Sequence, residues 1–166
     1  MNTQITDIER FINGHRDEMI QMWEKFVNIE TGSNDKAGVD QLADYIKELL
    51  DQAGFSTEVR SFENCGNSIF ATKKVETEKK PICLIGHMDT VFSKGTLEKN
   101  PFRIEDGKVF GPGALDMKGG LVAAIFALKA LNSSGYNERE IRVVFSGDEE
   151  VGHKYSETHA AIMEYS

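Results

Sequence analysis

Ile82-Cys83-Leu84-Ile85-Gly86-His87-Met88-Asp89-Thr90 and Ile141-Arg142-Val143-Val144-Phe145-Ser146-Gly147-Asp148-Glu149-Glu150 decide the reading of this chain. Each opens with a short apolar run, the pattern of a strand buried on both faces. Each then passes directly into polar residues able to carry protons or hold cations. Between them, Leu121 to Leu131 is apolar nearly all round, as expected of a buried helix. Strand, helix and strand in that order predict an α/β layered sheet. Open α/β sheets place ligands at the carboxyl ends of their strands, so both polar clusters are expected to face one crevice.

Upstream, Ile5, Ile8, Phe11 and Ile12 recur at helical spacing, and Met19, Trp23, Phe26 and Val27 do so again after Gly14. The second stripe reads as core-facing and needs no cofactor to explain it. Val39, Leu42, Ala43, Ile46, Leu49 and Leu50 predict a third helix, closed by Gly54. From Phe55 the pattern turns β-rich: 55–62 and 67–72 read as strands, and the charged stretch Lys73 to Lys80 as a solvated hairpin turn. Glycines at 86, 107, 111, 113, 119 and 120 bracket a long connection, and Ser156 to Tyr165 looks helical.

Composition bounds the function. The 166 residues carry 27 acidic against 19 basic side chains, a formal net charge of −8, with 40% hydrophobic and 28% charged residues. This is a globular composition of single-domain size, and one domain over 1–166 is expected. The acidic balance argues against nucleic acid and anionic membranes as partners, since both demand basic patches. No apolar stretch approaches the ~20 residues of a membrane span. Met1 to Arg16 lacks the apolar segment of a signal peptide, and Cys65 and Cys83 are too few for a disulfide framework. A cytoplasmic location is the expectation.

Three clusters hold the chemistry. In Gly86-His87-Met88-Asp89-Thr90, a His two residues before an Asp suits a metal ligand oriented by a supporting carboxylate, although a His beside a buried strand is more often a hydrogen-bonded structural residue. Gly111-Pro112-Gly113-Ala114-Leu115-Asp116-Met117-Lys118-Gly119-Gly120 lacks the phosphate-loop pattern and offers one carboxylate, Asp116, at the mouth of the buried helix. The dipole of that helix would favour an acid there in any case. Asp148-Glu149-Glu150 places three acids after a central strand, where a cation or a proton would relieve their repulsion. One imidazole and several carboxylates suit zinc, manganese or cobalt in a hydrolytic role. With no nucleophile elbow and no evident Cys–His pair, metal-activated water is the expected nucleophile.

These motifs, with Asn100-Pro101-Phe102-Arg103 between them, resemble the zinc-dependent aminoacylase/carboxypeptidase family, which includes glutamate carboxypeptidases, acetylornithine deacetylases and succinyl-diaminopimelate desuccinylases. The resemblance implies a three-layer αβα sandwich with a mixed, mostly parallel central sheet. It also implies amide-bond hydrolysis, as an exopeptidase or N-acyl amino acid deacylase, with a water bridged by two zinc ions (cobalt or manganese being alternatives). His87 would then ligate one metal and Glu150 the other, Asp116 would bridge them ahead of a cis peptide bond, Asp89 would orient His87, and Glu149 would be the general base. The substrate would be a small peptide or N-acyl amino acid, and the complete protein a homodimer. The family also has a further carboxylate, a later His and an inserted lid or dimerisation domain. None of these is found before Ser166, so the chain is expected to be the first part of a catalytic domain. His153 and His159 have no counterpart there. The expectations that follow are little or no activity of the chain alone, even with excess zinc, and an exposed apolar edge at Ile141 to Phe145. The other reading is a catalytically incomplete remnant that binds metal weakly or serves as a partner domain.

Overall fold

The computed structural model describes residues 3–165; Met1, Asn2 and Ser166, at the ends of the expected 1–166 domain, lie outside the described residues. Helices α1 (Thr3–Gly14), α2 (Arg16–Val27) and α3 (Lys36–Gln52) precede strands β1 (Ser56–Arg60), β2 (Ser68–Lys73) and β3 (Ile82–His87). There follow α4 (Thr96–Lys99), β4 (Arg103–Glu105), β5 (Lys108–Phe110), α5 (Gly119–Ser133), β6 (Ile141–Ser146) and α6 (Thr158–Tyr165).

The main sheet has strand order β1-β2-β6-β3. Alternation along β6 divides the core in two. Ile141, Val143 and Phe145 face the larger cluster, built with Phe26, Leu42, Ile46, Leu121, Ile125 and other helix residues, whereas Val144 faces Phe70 and Ala161 of α6. Helices therefore cover both faces, giving the three layers expected. The helix stripes pack as their spacing predicts, with Val39, Leu42, Ala43, Ile46, Leu49 and Leu50 of α3 all buried. Asp35 caps α3 by accepting the Gly38 N–H at 3.4 Å.

Several expectations change. The sheet is mixed, but its one parallel pair, β3 with β6, is accompanied by two antiparallel pairs, β1 with β2 and β2 with β6. Lys73 to Lys80 is not a hairpin turn, because β6 lies between β2 and β3 and the segment crosses over it. β6 is central and buried, so the exposed apolar edge falls on β3, where Ile82 is 40% and Ile85 51% exposed. An apolar run is the same string whether both faces are covered or one is open, and the helices reach only part of this strand. Within the long connection, β4 and β5 form a hairpin turned at Asp106 and Gly107, both at positive φ.

The parallel pairing fixes the site. Gly86 is in register with Phe145 and His87 with Ser146, so the two strands end side by side. The segments that follow them are brought to one edge, as the pattern predicted.

Candidate metal centre

His87 is the last residue of β3 and only 7% exposed. Its Nδ1 lies 3.0 Å from the backbone oxygen of Asp89 and 3.5 Å from that residue's Oδ1. That contact leaves Nε2 facing outward, 3.0 Å from Asp116 Oδ1 and 3.7 Å from Glu149 Oε2.

Asp116 stands in an irregular turn, 114–118, that leads into α5, and the Asp116–Met117 peptide is cis. Two distant side chains hold this turn. Trp23 Nε1 donates to the Ala114 carbonyl at 3.0 Å, and Lys118, only 1% exposed, donates from Nζ to the Ile29 carbonyl at 2.7 Å. Gly113 enters the turn at φ 68°, where a Cβ would lie 2.5 Å from Thr90 Cγ2, so no side chain fits. Met117 folds back over the strand, its sulfur accepting the His87 N–H at 3.2 Å.

The three acids after β6 separate. Asp148 is fully buried and turns inward, accepting from Ser156 Oγ at 2.7 Å and from the Tyr155 N–H at 3.2 Å, with His153 Nδ1 at 3.3 Å. Glu149 and Glu150 open a short helical turn, and their backbone N–H groups donate to the Asp89 carboxylate at 3.0 and 3.2 Å. Ser33 Oγ donates to the same carboxylate at 2.7 Å. Asp89 thus does more than face His87: buried at 0% exposure, it ties the strand β3 terminus to the backbone of the Glu149–Glu150 pair.

His87, Asp116 and Glu150 each offer one donor atom within 4.8 Å of the others, an arrangement that could hold a cation. His153 and His159 are outside this group; their rings lie 6.0 Å apart, and His153 is beside Asp148. The electrostatics agree with a cation site. Burial opposes charge on His87, but hydrogen bonds to Asp89 and the charges of Asp89 and Glu149 outweigh it and push the imidazole up to about 9. Burial raises the Glu150 carboxyl, and the nearby acids Asp116, Asp89 and Glu149 add to the rise against the pull of His87. Burial also acts to raise Asp89, yet the bonds from His87 and Ser33 hold it below its ordinary range. A cation among these groups would stabilise the acids and displace the His87 proton.

Sequence reasoning placed His87, Asp89, Asp116, Glu149 and Glu150, and the fold brings all five to one edge. It missed Ser33, Trp23, Lys118 and Asp148 as supports. Ser33 lay in a polar break, and Trp23 in an apolar stripe whose geometry does not reveal where an indole N–H ends.

Residues 83–164 match peptidase family M20/M25/M40. Carboxypeptidase G2 of Pseudomonas sp. is 39% identical over 138 residues, which is 81% of this chain and 33% of that protein. Succinyl-diaminopimelate desuccinylase of Rickettsia typhi is 34% identical over 135 residues, 75% of this chain and 34% of the enzyme. Among solved structures, human carnosine dipeptidase 1 superposes with a TM-score of 0.77 at 21% identity, covering 90% of this chain and 36% of that one. A metallo-carboxypeptidase of Sulfolobus solfataricus gives 0.75 at 21% identity, covering 90% and 35%. The chain spans about a third of the length of these relatives. Among the described residues, no helix is long and apolar enough to cross a membrane.

Proposed function

This chain belongs to peptidase family M20/M25/M40, and from that premise we propose that it supplies metal-holding and proton-handling residues for the hydrolysis of an amide bond in a small peptide or N-acyl amino acid. The observation that carries the reading is the convergence of one donor atom each from His87, Asp116 and Glu150 within 4.8 Å.

The donor set fits zinc. A neutral imidazole and carboxylate oxygens are ordinary zinc ligands, the three residues together match the complement of one catalytic zinc while two ions would have only two of them each, and cobalt or manganese suits the same donors. Of two ions, Asp116 would be shared, with His87 completing one side and Glu150 the other. Bound there, zinc supplies Lewis acidity to the substrate carbonyl and makes a water more acidic.

The protein's own part follows from placement. His87 presents Nε2 because the Asp89 backbone oxygen occupies Nδ1, which fixes the tautomer a ligand requires. Asp89 acts through others: it orients His87 and fixes the backbone from which Glu149 and Glu150 project. Glu149 is half exposed and its Oε2 lies 3.7 Å from His87 Nε2, beside the donors and free to turn toward a water. We assign it the general base that takes a proton from the attacking water and returns it to the leaving amine. The free thiols Cys65 and Cys83 suit a reducing, cytoplasmic setting. A homodimer rests on the resemblance alone and is read by sedimentation.

The test is amine release from N-acetyl amino acids and dipeptides by zinc-loaded protein with Glu or Gln at position 149, in the 166-residue chain and in a longer protein that contains it. Glu149→Gln is expected to keep its zinc and lose turnover by about 10²- to 10⁴-fold. Zinc binding with no turnover in either protein would favour the partner-domain reading. Equal turnover with Glu and Gln would remove the base from Glu149.

A further inference from the structure

Beside the donor cluster is a concavity of about 440 Å³ between residues 32–35, 90–94 and 150–151. Its size falls within the range of small-ligand sites. Glu150 is common to both places: it is one of the three converging donors and part of this wall.

The wall is built, not incidental. The Thr90 N–H donates to the Thr31 carbonyl at 2.8 Å and the Ser33 N–H to the Thr90 carbonyl at 3.1 Å, fixing the floor. The Glu30 carboxylate accepts the Gly95 and Leu97 N–H groups at 2.8 and 2.9 Å, fixing the far end of the loop. Held between these anchors, Val91 is 70% and Phe92 38% exposed, two apolar side chains turned to solvent beside a polar centre. Val151 adds a third apolar group.

Charge narrows the ligand. The one cation on the lining, Lys94, lies 3.2 Å from Asp35 Oδ2, so an acid already faces it there. Until a cation binds, Glu150 adds a second acid to the same wall. An acidic ligand group would meet repulsion here, and an apolar one would bury Val91 and Phe92.

We propose that this concavity receives an aliphatic or aromatic side chain of the substrate, next to the amide to be cut. The inference rests on the hydrolase reading for its orientation and on the pocket itself for its chemistry.

The test titrates N-acetyl-leucine, N-acetyl-alanine and N-acetyl-aspartate into the isotope-labelled 166-residue chain, with and without zinc, following backbone amide signals. N-acetyl-leucine is expected to bind at least about tenfold more tightly than N-acetyl-alanine, the discrimination an apolar pocket gives for missing methylenes. N-acetyl-aspartate should be weakest, and the shifts should centre on Val91, Phe92 and Lys94. Val91→Asp, at an exposed position, should reduce N-acetyl-leucine to the level of N-acetyl-alanine while zinc binding stays unchanged. Equal binding of leucine and alanine ligands, no saturable shift, or shifts away from residues 90–94 would overturn the proposal. Zinc binding with those outcomes would leave the hydrolase reading standing. Leucine selectivity in a chain that binds no zinc would keep the pocket and remove the metal reading.

Discussion

The carboxylate of Asp89 accepts the backbone N–H of Glu149 at 3.0 Å, so a residue just past one strand sets the direction of a residue just past its parallel neighbour. Because Asp89 is fully buried, this bond is shielded from competition by water.

Asp89→Asn tests that link. The amide keeps one oxygen acceptor but puts a donor either where the Glu150 N–H and Ser33 hydroxyl both point or where the Glu149 N–H points. A loss of about 1–3 kcal/mol in stability is expected from the unsatisfied buried groups. A fall of about 10- to 100-fold in zinc affinity is expected from misdirected ligands. Denaturant unfolding and zinc titration measure the two separately.

The pH dependence follows from His87. Its raised value of about 9, against an ordinary 6.5, means the folded metal-free protein favours the imidazolium. That stabilisation is full below pH 6.5 and is lost as pH rises toward 9. Lys118, pushed down by burial to about 8, favours its neutral form in the fold and adds stability as pH climbs above that value. The clean window is therefore pH 6.5 to 8, in which the metal-free protein should lose roughly 5 °C in Tm. Zinc affinity should rise about tenfold per pH unit over the same window as the proton ceases to compete. Calorimetric scans with and without zinc check both directions.

Lys118→Met and Trp23→Phe should loosen the turn that carries Asp116. Each removes one long-range hydrogen bond; Lys118→Met nearly conserves volume, whereas Trp23→Phe also removes part of the ring packed against Gly119. Faster amide exchange at 114–118 and a zinc affinity lower by about tenfold are expected, with helix content retained. Trp23 is also the one tryptophan of the chain, so zinc binding to the wild type should change its fluorescence.

The edge of β3 gives a prediction about association. Ile85 is 51% exposed on a strand paired on one side only among the described residues. Ile85→Lys should suppress concentration-dependent self-association while changing stability by no more than about 0.5 kcal/mol, as read by sedimentation and denaturant unfolding.

The sequence was most informative where apolar periodicity and position agreed. Strand β6 and the stripe of α3 declare themselves because their burial is nearly complete, and α5 because its apolar run is long, although Ala123 and Ala127 on it are exposed. Ile82 to Ile85 did not declare its open side, since an edge strand and a central one share the same apolar run. The hairpin at Asp106-Gly107 went unread, because its strands are only three residues long and half exposed, so no alternation marked them. In the site, His87, Asp116 and the Glu149–Glu150 pair were legible because their residue types carry the chemistry. Lys118 and Trp23 were not, because their partners are backbone carbonyls 89 and 91 residues away. Asp148 was legible as an acid but not as an inward anchor, a distinction made by the loop that folds back to meet it.

Calorimetric titration of zinc into the wild-type chain, Asp116→Asn and Glu149→Gln tests the central claim most directly. The account predicts saturable binding to the wild type, its loss in Asp116→Asn, and near-wild-type affinity in Glu149→Gln. Equal affinity of the wild type and Asp116→Asn, or equal loss in both variants, would contradict it.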